Sequence, residues 1–175
     1  MKLNTQDSLN LISKSTFSRA FNASRVFRSY QTSRFLGRAS LSGMPISISV
    51  EPTTSCNLRC PECPSGLRSF TRPTGMLDQS LFRSVIDQLA PTLSYLTFYF
   101  QGEPFLNPQF LEMVKYASQK GIYTATSTNA HFLNSDTALA TVKSSLDRLI
   151  ISVDGTTQEA YQSYRVGGSL EKVMD

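Results

Sequence analysis

Apolar side chains follow two alternating spacings along residues 46–175. In residues 46–50 every second position is apolar, which is the pattern of a strand with one buried face. Short apolar runs recur at residues 95–100, 122–126 and 149–153. Between these runs, apolar residues fall three and four positions apart, as on one face of a helix. The pattern predicts four strands, each followed by a helix.

Capping residues mark the ends of the predicted helices. Asp78 precedes the first helical pattern, and Asn107–Pro108 supplies a predicted N-cap and first helical position for the next helix, which Gly121 ends. The remaining boundary residues are Asn134 or Ser135, Thr156, Gly167–Gly168 and Ser169. They predict one further helix and then two shorter ones.

Regular alternation of strands and helices predicts the α/β class, with right-handed crossovers and a parallel sheet. A doubly wound sheet and a sector of a (β/α) barrel both fit this periodicity. Either architecture places function at the carboxyl ends of the strands, and the polar, glycine-bearing and cysteine-rich stretches follow the strands. The sequence has no dinucleotide fingerprint and no phosphate-loop motif, which argues against NAD or ATP chemistry.

The first 40 residues differ in charge from the rest of the chain. They carry a net charge of +6, whereas residues 41–175 carry −2, so the body offers no basic groove for nucleic acid. We predict a basic N-terminal arm over residues 1–43 and a core domain over residues 44–175. The arm is interpreted as a helical extension that packs on the domain. The alternatives are a basic amphipathic helix that contacts a membrane surface or partner, and an organelle transit peptide.

Composition excludes several classes of protein. Apolar residues make up 40% and charged residues 17% of the sequence, which excludes a wholly disordered chain. No apolar run approaches the roughly 18 residues that a membrane-spanning helix needs. Three cysteines cannot all pair within one chain, which argues against a disulfide scaffold.

All three cysteines, Cys56, Cys60 and Cys63, lie in one loop directly after the first predicted strand. Soft thiolates bind zinc or iron–sulfur clusters. Structural zinc takes four ligands, yet the sequence has no fourth cysteine, and its single histidine, His131, is distant along the chain. A loop of three thiolates suits a four-iron cluster with one open iron. We expect such a cluster, with zinc or unliganded redox thiols as the alternatives.

The Cys-x-x-x-Cys-x-x-Cys spacing after a first strand resembles the radical S-adenosylmethionine (SAM) enzymes. The resemblance extends over residues 46–175. Its supporting segments are Gly102-Glu103-Pro104, Ser127-Thr-Asn129, Ser152-Val-Asp154-Gly155 and Tyr164-Arg165-x-Gly167-Gly168. The last two of these segments are typical of the branch with a C-terminal SPASM domain, whose members mostly modify peptides or proteins.

This resemblance implies a partial (β/α) barrel with about four strand–helix units in this chain, where the family has about six. It implies that Cys56, Cys60 and Cys63 hold three irons of a [4Fe–4S] cluster, and that SAM chelates the fourth. Reduction of the cluster would then cleave SAM to methionine and a 5′-deoxyadenosyl radical, which abstracts a substrate hydrogen atom.

The resemblance also implies five cofactor-binding residues. They are Gly102, Glu103, Pro104, Ser152 and Arg165. The Glu103 carboxylate suits the SAM ammonium through a charge-assisted hydrogen bond. Arg165 would pair with the SAM carboxylate, and Ser152 would bond its amino-acid part or ribose. The alternatives are a surface-loop acid, a solvated arginine and a strand-end cap. Asn129 and Asp154 are interpreted as loop-shaping residues.

The sequence departs from the family pattern at three positions near these motifs. Gln101 replaces the first glycine of the usual Gly-Gly-Glu run, and Ala130 replaces the glycine of Thr-Asn-Gly. Glu62 stands where an aromatic residue often packs on the adenine. His131 is interpreted as an ordinary surface residue.

Partners and location follow from the implied chemistry. The resemblance implies an electron donor of the flavodoxin or ferredoxin type and a peptide or protein substrate. Reduced thiolates indicate the cytoplasm, with the arm as a candidate membrane contact. Four strand units, and no cysteine after Cys63, indicate either the N-terminal part of a longer enzyme or a truncated gene. The alternative functions are a catalytically incomplete fragment that binds only a cluster, and a zinc-stabilised binding module.

Overall fold

Four parallel strands form one sheet in the computed structural model, which describes residues 5–175. The strands are β1 (Ser47–Ser49), β2 (Tyr95–Thr97), β3 (Tyr123–Thr128) and β4 (Arg148–Ile151). The helices are α1 (Thr5–Ser13), α2 (Phe17–Leu36), α3 (Pro64–Leu67), α4 (Gln79–Leu89), α5 (Phe110–Gln119), α6 (Ser135–Lys143), α7 (Gln158–Tyr164) and α8 (Leu170–Met174), and a 3₁₀ turn spans Pro104–Leu106. The predicted α/β class with a parallel sheet is confirmed.

Strand order decides between the two architectures that periodicity left open. The strands lie side by side in chain order, β1–β2–β3–β4. Ile48 pairs with Leu96, which pairs with Thr124, so the register runs straight across the first three strands. A doubly wound sheet reverses direction at a switch point, whereas a barrel adds each strand on the same side. The sheet is therefore a sector of a barrel.

The hydrophobic core lies between the sheet and the helices α4 and α5. Phe98, just after β2, sits between Phe82 of α4 and Phe110 of α5, with ring centroids 5.6 Å from each. The fully buried members of the core are Phe82, Ile86, Leu93, Leu96, Phe98, Phe110, Met113, Val114, Ala117 and Ile122. This rigid layer supports the loops that leave the carboxyl ends of the strands.

Several predicted helix boundaries are confirmed and two are wrong. Asp78, Asn134 and Ser169 are N-caps, as predicted. Asn107 does not cap α5, which begins at Phe110. The Asn107 amide is buried and donates to the carbonyls of Pro52 and Leu77, at 2.8 and 3.3 Å.

The second wrong helix boundary is the start of α7. The strands also differ slightly from their predicted lengths. The cap of α7 is Thr157 rather than Thr156, and its side chain accepts from the Ala160 N–H at 3.2 Å. β2 ends at Thr97, three residues early, because it pairs with a β1 of only three residues. β3 instead continues to Thr128, where β4 supplies a partner.

Helices α1 and α2 pack at the amino-terminal edge of the sheet. Lys14 forms an ion pair of 2.5 Å with Asp147, which precedes β4, and Asn10 donates to the same carboxylate at 2.9 Å. The loops that follow the strands lie at the opposite edge. Residues 1–4 of the predicted arm lie outside the described residues, and the boundary between residues 43 and 44 stays a prediction.

Aromatic residues of α2 face away from this contact. Phe17 and Phe35 are 87% and 90% exposed. Between residues 5 and 175, none of the helices combines the length and the apolar character needed to cross a bilayer.

Arg19 fixes α2 to the ends of two core helices. Arg19 is only 3% exposed. Nη2 donates to the carbonyls of Ala90 and Lys120, at 3.0 and 2.9 Å, and Nη1 donates to that of Gly121. Ala90 and Lys120 are the C-caps of α4 and α5, where carbonyls carry partial negative charge.

We expect Arg19→Met to lower the free energy of unfolding by about 3 kcal/mol, because buried carbonyls lose charged donors. Urea unfolding of the full chain measures this loss. Arg28→Met, at an exposed position of the same helix, is the matched control and should change stability by less than about 0.5 kcal/mol. Equal effects of the two substitutions would contradict the anchoring role.

Candidate metal and cofactor site

The three cysteines line one cavity at the carboxyl edge of the sheet. Its volume is about 190 Å³. Cys60 is 5% exposed, while Cys56 and Cys63 are half-buried. The other predicted site residues that line the cavity are Gly102, Glu103, Ser152 and Arg165. Pro104 is not among the lining residues: it lies buried in the 3₁₀ turn behind them.

Backbone hydrogen bonds hold the cysteine loop between two other loops. The Arg59 N–H donates to the Val166 carbonyl at 2.9 Å, which ties the loop to the segment after α7. The Glu103 N–H donates to the Ser55 carbonyl at 2.8 Å, which ties it to the loop after β2. The positions of the thiols therefore depend on two loops that are distant along the chain.

Burial raises the pKa of both Cys56 and Cys60 above the ordinary value of 9.0. The Leu58 N–H, 3.5 Å from the Cys56 sulfur, partly offsets this rise. The charge of Arg165 does the same for Cys60. Cys60 and Cys63 also disfavour ionisation of Cys56, and Cys63 disfavours ionisation of Cys60. A bound cation would reverse this balance, because metals bind the thiolate form.

Each sulfur lies beside a polar side chain from a different loop. Asn129 Nδ2, after β3, is 3.9 Å from the Cys56 sulfur, and Arg165 Nη1, after α7, is 3.8 Å from that of Cys60. Gln101 Oε1, after β2, is 3.3 Å from the sulfur of Cys63. The sequence interpretation assigned Asn129 to loop shape and gave the side chain of Gln101 no role. The one sequence signal that pointed to Gln101 was its presence where the family pattern has a glycine.

The three cysteines line one cavity but do not meet at a single point. Within residues 5–175, no three His, Cys, Asp or Glu side chains converge closely enough to hold a single metal ion. A four-iron cluster binds each thiolate on a different iron. Three thiols that line one cavity have the donor type and number for such a cluster.

Gly102 brings the loop after β2 against the cysteine loop. Its φ is +79°, and a Cβ built on it would lie 2.0 Å from the Thr53 carbonyl oxygen. Its N–H donates to Ser65 Oγ at 2.9 Å. The backbones approach so closely here that only hydrogen fits in place of a side chain.

Glu103 is a buried acid, not a surface-loop acid, with 2% exposure. Its carboxylate accepts from Thr128 Oγ1 at 2.7 Å, from the Asn129 N–H at 2.8 Å and from the Phe105 N–H at 3.3 Å. It therefore joins the loop after β2 to the end of β3. Burial raises the pKa of Glu103 above 4.5 despite these bonds.

This pKa shift predicts how Glu103 affects stability across pH. A folded-state pKa above the unfolded value gives stability that is present below pH 4.5 and lost as pH rises through the folded-state pKa. Gln resembles the protonated acid and cannot ionise. We therefore expect the stability of wild type relative to Glu103→Gln to fall as pH rises from about 4.

Urea unfolding at a series of pH values measures that difference. Glu112→Gln, at an exposed position of α5, is the matched control for loss of a carboxylate. A wild-type stability that rises relative to Glu103→Gln above pH 4.5 would contradict the effect of burial.

Ser152 and Arg165 enter the cavity from the segment that follows β4. Ser152 Oγ lies 3.1 Å from Ser127 Oγ, and the Ser152 N–H donates to the Thr128 carbonyl at 3.0 Å. Arg165 Nε donates to the Asp154 carboxylate. Burial lowers the pKa of Arg165, but Asp154 and the nearby Cys60 outweigh burial and raise it.

Two other sequence interpretations differ from the structure. His131 is half-buried, and its Nε2 accepts from the Ser169 N–H at 2.8 Å, so it ties the loop after β3 to the start of α8. Tyr99 and Phe100 lie in the apolar run of residues 95–100 that was predicted as a strand, but they line the cavity because β2 ends at Thr97.

A family model described as the Radical SAM superfamily matches residues 50–175. The chain is 33% identical over 125 residues to the mycofactocin maturase MftC of Mycobacterium ulcerans, covering 71% of this chain and 33% of that protein. It is 32% identical over 127 residues to the PqqA peptide cyclase of Rhodopseudomonas palustris, covering 72% and 33%. The chain spans about a third of the length of these curated relatives.

Solved structures share the fold at lower identity. Native anSMEcpe with bound AdoMet aligns with a TM-score of 0.62 and 21% identity, over 74% of this chain and 39% of that one. BtrN in complex with AdoMet and 2-DOIA aligns with a TM-score of 0.59 and 20% identity, over 77% and 56%. These likenesses confirm the predicted partial barrel.

Proposed function

Because the chain belongs to the radical SAM superfamily, whose members use a [4Fe–4S] cluster and SAM, we propose that it cleaves SAM reductively on a cluster held by Cys56, Cys60 and Cys63. The observation that carries this proposal is the shared cavity. It brings the three thiols together with Glu103 and Arg165, which are far apart in sequence, at the functional edge of a barrel sector.

The thiolates of Cys56, Cys60 and Cys63 would hold a [4Fe–4S] cluster, which when reduced would supply the electron for reductive cleavage of SAM and so the radical chemistry of the family. The protein positions the reactants and shields them from water.

Glu103 retains capacity to bind the SAM ammonium. An ionised carboxylate has about four acceptor positions, and protein groups fill three of them. Oε2 accepts only the Asn129 N–H among the described bonds, which leaves an acceptor for an ammonium hydrogen. A cation at this position would also lower the pKa that burial raises.

Arg165 and Ser152 complete the proposed cofactor contacts. The guanidinium has five N–H donors, of which Nε serves Asp154 and one Nη1 hydrogen serves Cys60. The remaining donors are available to the SAM carboxylate. Ser152 supplies a hydroxyl on the cavity wall, and Gly102 and Pro104 shape the loop that carries Glu103.

We propose a peptide or protein substrate on the basis of the relatives. Their names describe a maturase and a peptide cyclase, and they fall in the SPASM-associated branch. Since SAM cleavage consumes one electron, a donor of the flavodoxin or ferredoxin type belongs to the proposal, as does a reducing cytoplasm. We also propose that residues 1–43 form an arm distinct from the core of residues 44–175, with a membrane surface as a candidate contact.

Anaerobic reconstitution with iron and sulfide, followed by EPR of the reduced chain, tests the proposed function. We expect a [4Fe–4S]⁺ signal that changes when SAM is added. A cluster signal that does not change when SAM is added would favour a fragment that binds only a cluster. Zinc binding with no cluster would favour the binding module and overturn the enzyme proposal.

A further inference from the structure

Gln101 places a polar side chain between the third cysteine and a serine of α3. Its Oε1 lies 3.3 Å from the Cys63 sulfur and 3.3 Å from Ser65 Oγ. Ser65 in turn accepts from the Gly102 N–H at 2.9 Å. Gln101 also lines the cavity. The glutamine side chain is therefore held at the cavity wall, in a position where a glycine would offer no side-chain contact.

The direction of this hydrogen bond depends on whether Cys63 ligates iron. With a thiol, the S–H donates to Gln101 Oε1. A ligating cysteine is a thiolate and has no hydrogen to donate, so Oε1 would then face a negatively charged sulfur. A half-turn of the terminal amide exchanges Oε1 for Nε2 with almost no change of shape. Nε2 has two hydrogens, which match the Cys63 sulfur and Ser65 Oγ.

The other two cysteines already face side-chain donors. Asn129 Nδ2 lies 3.9 Å from the Cys56 sulfur, and Arg165 Nη1 lies 3.8 Å from that of Cys60. The Gln101 contact, at 3.3 Å, is shorter than either. With its amide turned, Gln101 would give Cys63 the donor that the other two sulfurs have.

We propose that Gln101 is a positioning residue that donates a hydrogen bond from Nε2 to the Cys63 thiolate and raises the reduction potential of the cluster. This inference rests on the proposed function. Reduction adds one negative charge to the cluster and its sulfurs. A donor aimed at a ligating sulfur stabilises the reduced form more than the oxidised form, so the potential rises.

Two substitutions separate the hydrogen bond from the space that the side chain fills. Gln101→Met keeps nearly the same length and volume but has no N–H donor. Gln101→Gly removes both. Gln109→Met is the matched control, because Gln109 is exposed and makes no side-chain cap bond to α5.

The measurement is the midpoint potential of the cluster in the full chain, followed by EPR in an anaerobic redox titration after reconstitution with iron and sulfide. We expect both Gln101 variants to shift to a more negative potential than wild type, with Gln109→Met unchanged. An unchanged or more positive potential in Gln101→Met overturns the inference. If only Gln101→Gly shifts the midpoint potential, the inference is also overturned, because the shift would then come from the larger cavity and its solvent access rather than from a lost hydrogen bond.

Iron and sulfide content, measured before the titration, separates this inference from the proposed function. A wild-type chain that binds no cluster overturns the proposed function, and this inference with it. A wild-type chain that binds a cluster whose potential is the same in Gln101→Met leaves the proposed function standing and overturns only the role of Gln101.

Discussion

Simultaneous substitution of Cys56, Cys60 and Cys63 by serine is expected to abolish cluster loading. Bound iron should fall from about four atoms per chain to near zero, because a hydroxyl is a far weaker ligand for iron than a thiolate. The three thiols line one cavity, and the sequence has no other cysteine to replace them. This is the largest effect expected of any substitution in the chain.

Iron and sulfide content after anaerobic reconstitution measures the loss, and far-ultraviolet circular dichroism shows whether the fold persists. Ser55→Ala is the matched control, since it removes an oxygen from the same loop and keeps all three thiols. It should load iron as wild type does. Wild-type iron and sulfide in the triple variant would show that the cluster lies elsewhere and would remove the basis of the proposed function.

Gly102→Ala is expected to lower the free energy of unfolding by about 3 kcal/mol or more. Two penalties combine at this position. The φ of +79° disfavours any residue with a Cβ, and that Cβ would lie 2.0 Å from the Thr53 carbonyl oxygen. The clash is with backbone, so a side-chain rotation cannot relieve it. The loop that carries Gln101 and Glu103 must move, and cluster loading should fall as well.

Substitutions at two other glycines distinguish the cost of a positive φ from the cost of the steric clash. Gly167 has a φ of +85° but open space around its Cα, so Gly167→Ala should cost only about 1 kcal/mol from backbone strain. Gly75 has open space and no positive φ, so Gly75→Ala should be neutral or slightly stabilising. Urea unfolding ranks the three variants. If Gly102→Ala cost no more than Gly167→Ala, the close approach of the two loops would be contradicted.

Tertiary partners explain one of the two helix boundaries that sequence reasoning placed wrongly. Asn107 has the residue type and the following proline of an N-cap, and its Oδ1 accepts from the Gln109 N–H at 2.9 Å. Its Nδ2, however, donates to the carbonyls of Pro52 and Leu77, and α5 begins only at Phe110. Both partners lie 30 or more residues away along the chain, so no local pattern indicates them. Asp78 and Asn134 were predicted correctly because their side chains bond to N–H groups three residues ahead.

Within the candidate site, Glu103 and Gln101 also show which features the sequence predicts and which depend on contacts between distant residues. The motif identified Glu103 from sequence, but its burial follows from contacts with Thr128 and Asn129, 25 and 26 residues further on. Gln101 could be recognised only as a departure from a family pattern. Its contact with Cys63 requires the loop after β2 to fold against the loop after β1.

The sequence by itself determined the alternation of strands and helices and the three clustered thiols. These features are local: periods of two and of three to four residues report which face is buried, and eight residues suffice to hold all the cysteines together. Only the tertiary structure decided that the sheet is a barrel sector, that Glu103 is buried, and which side chain lies beside each sulfur. Those outcomes depend on strand order and on close contacts between loops far apart in the chain, and such contacts form only when the parallel sheet brings the carboxyl ends of its strands to one edge.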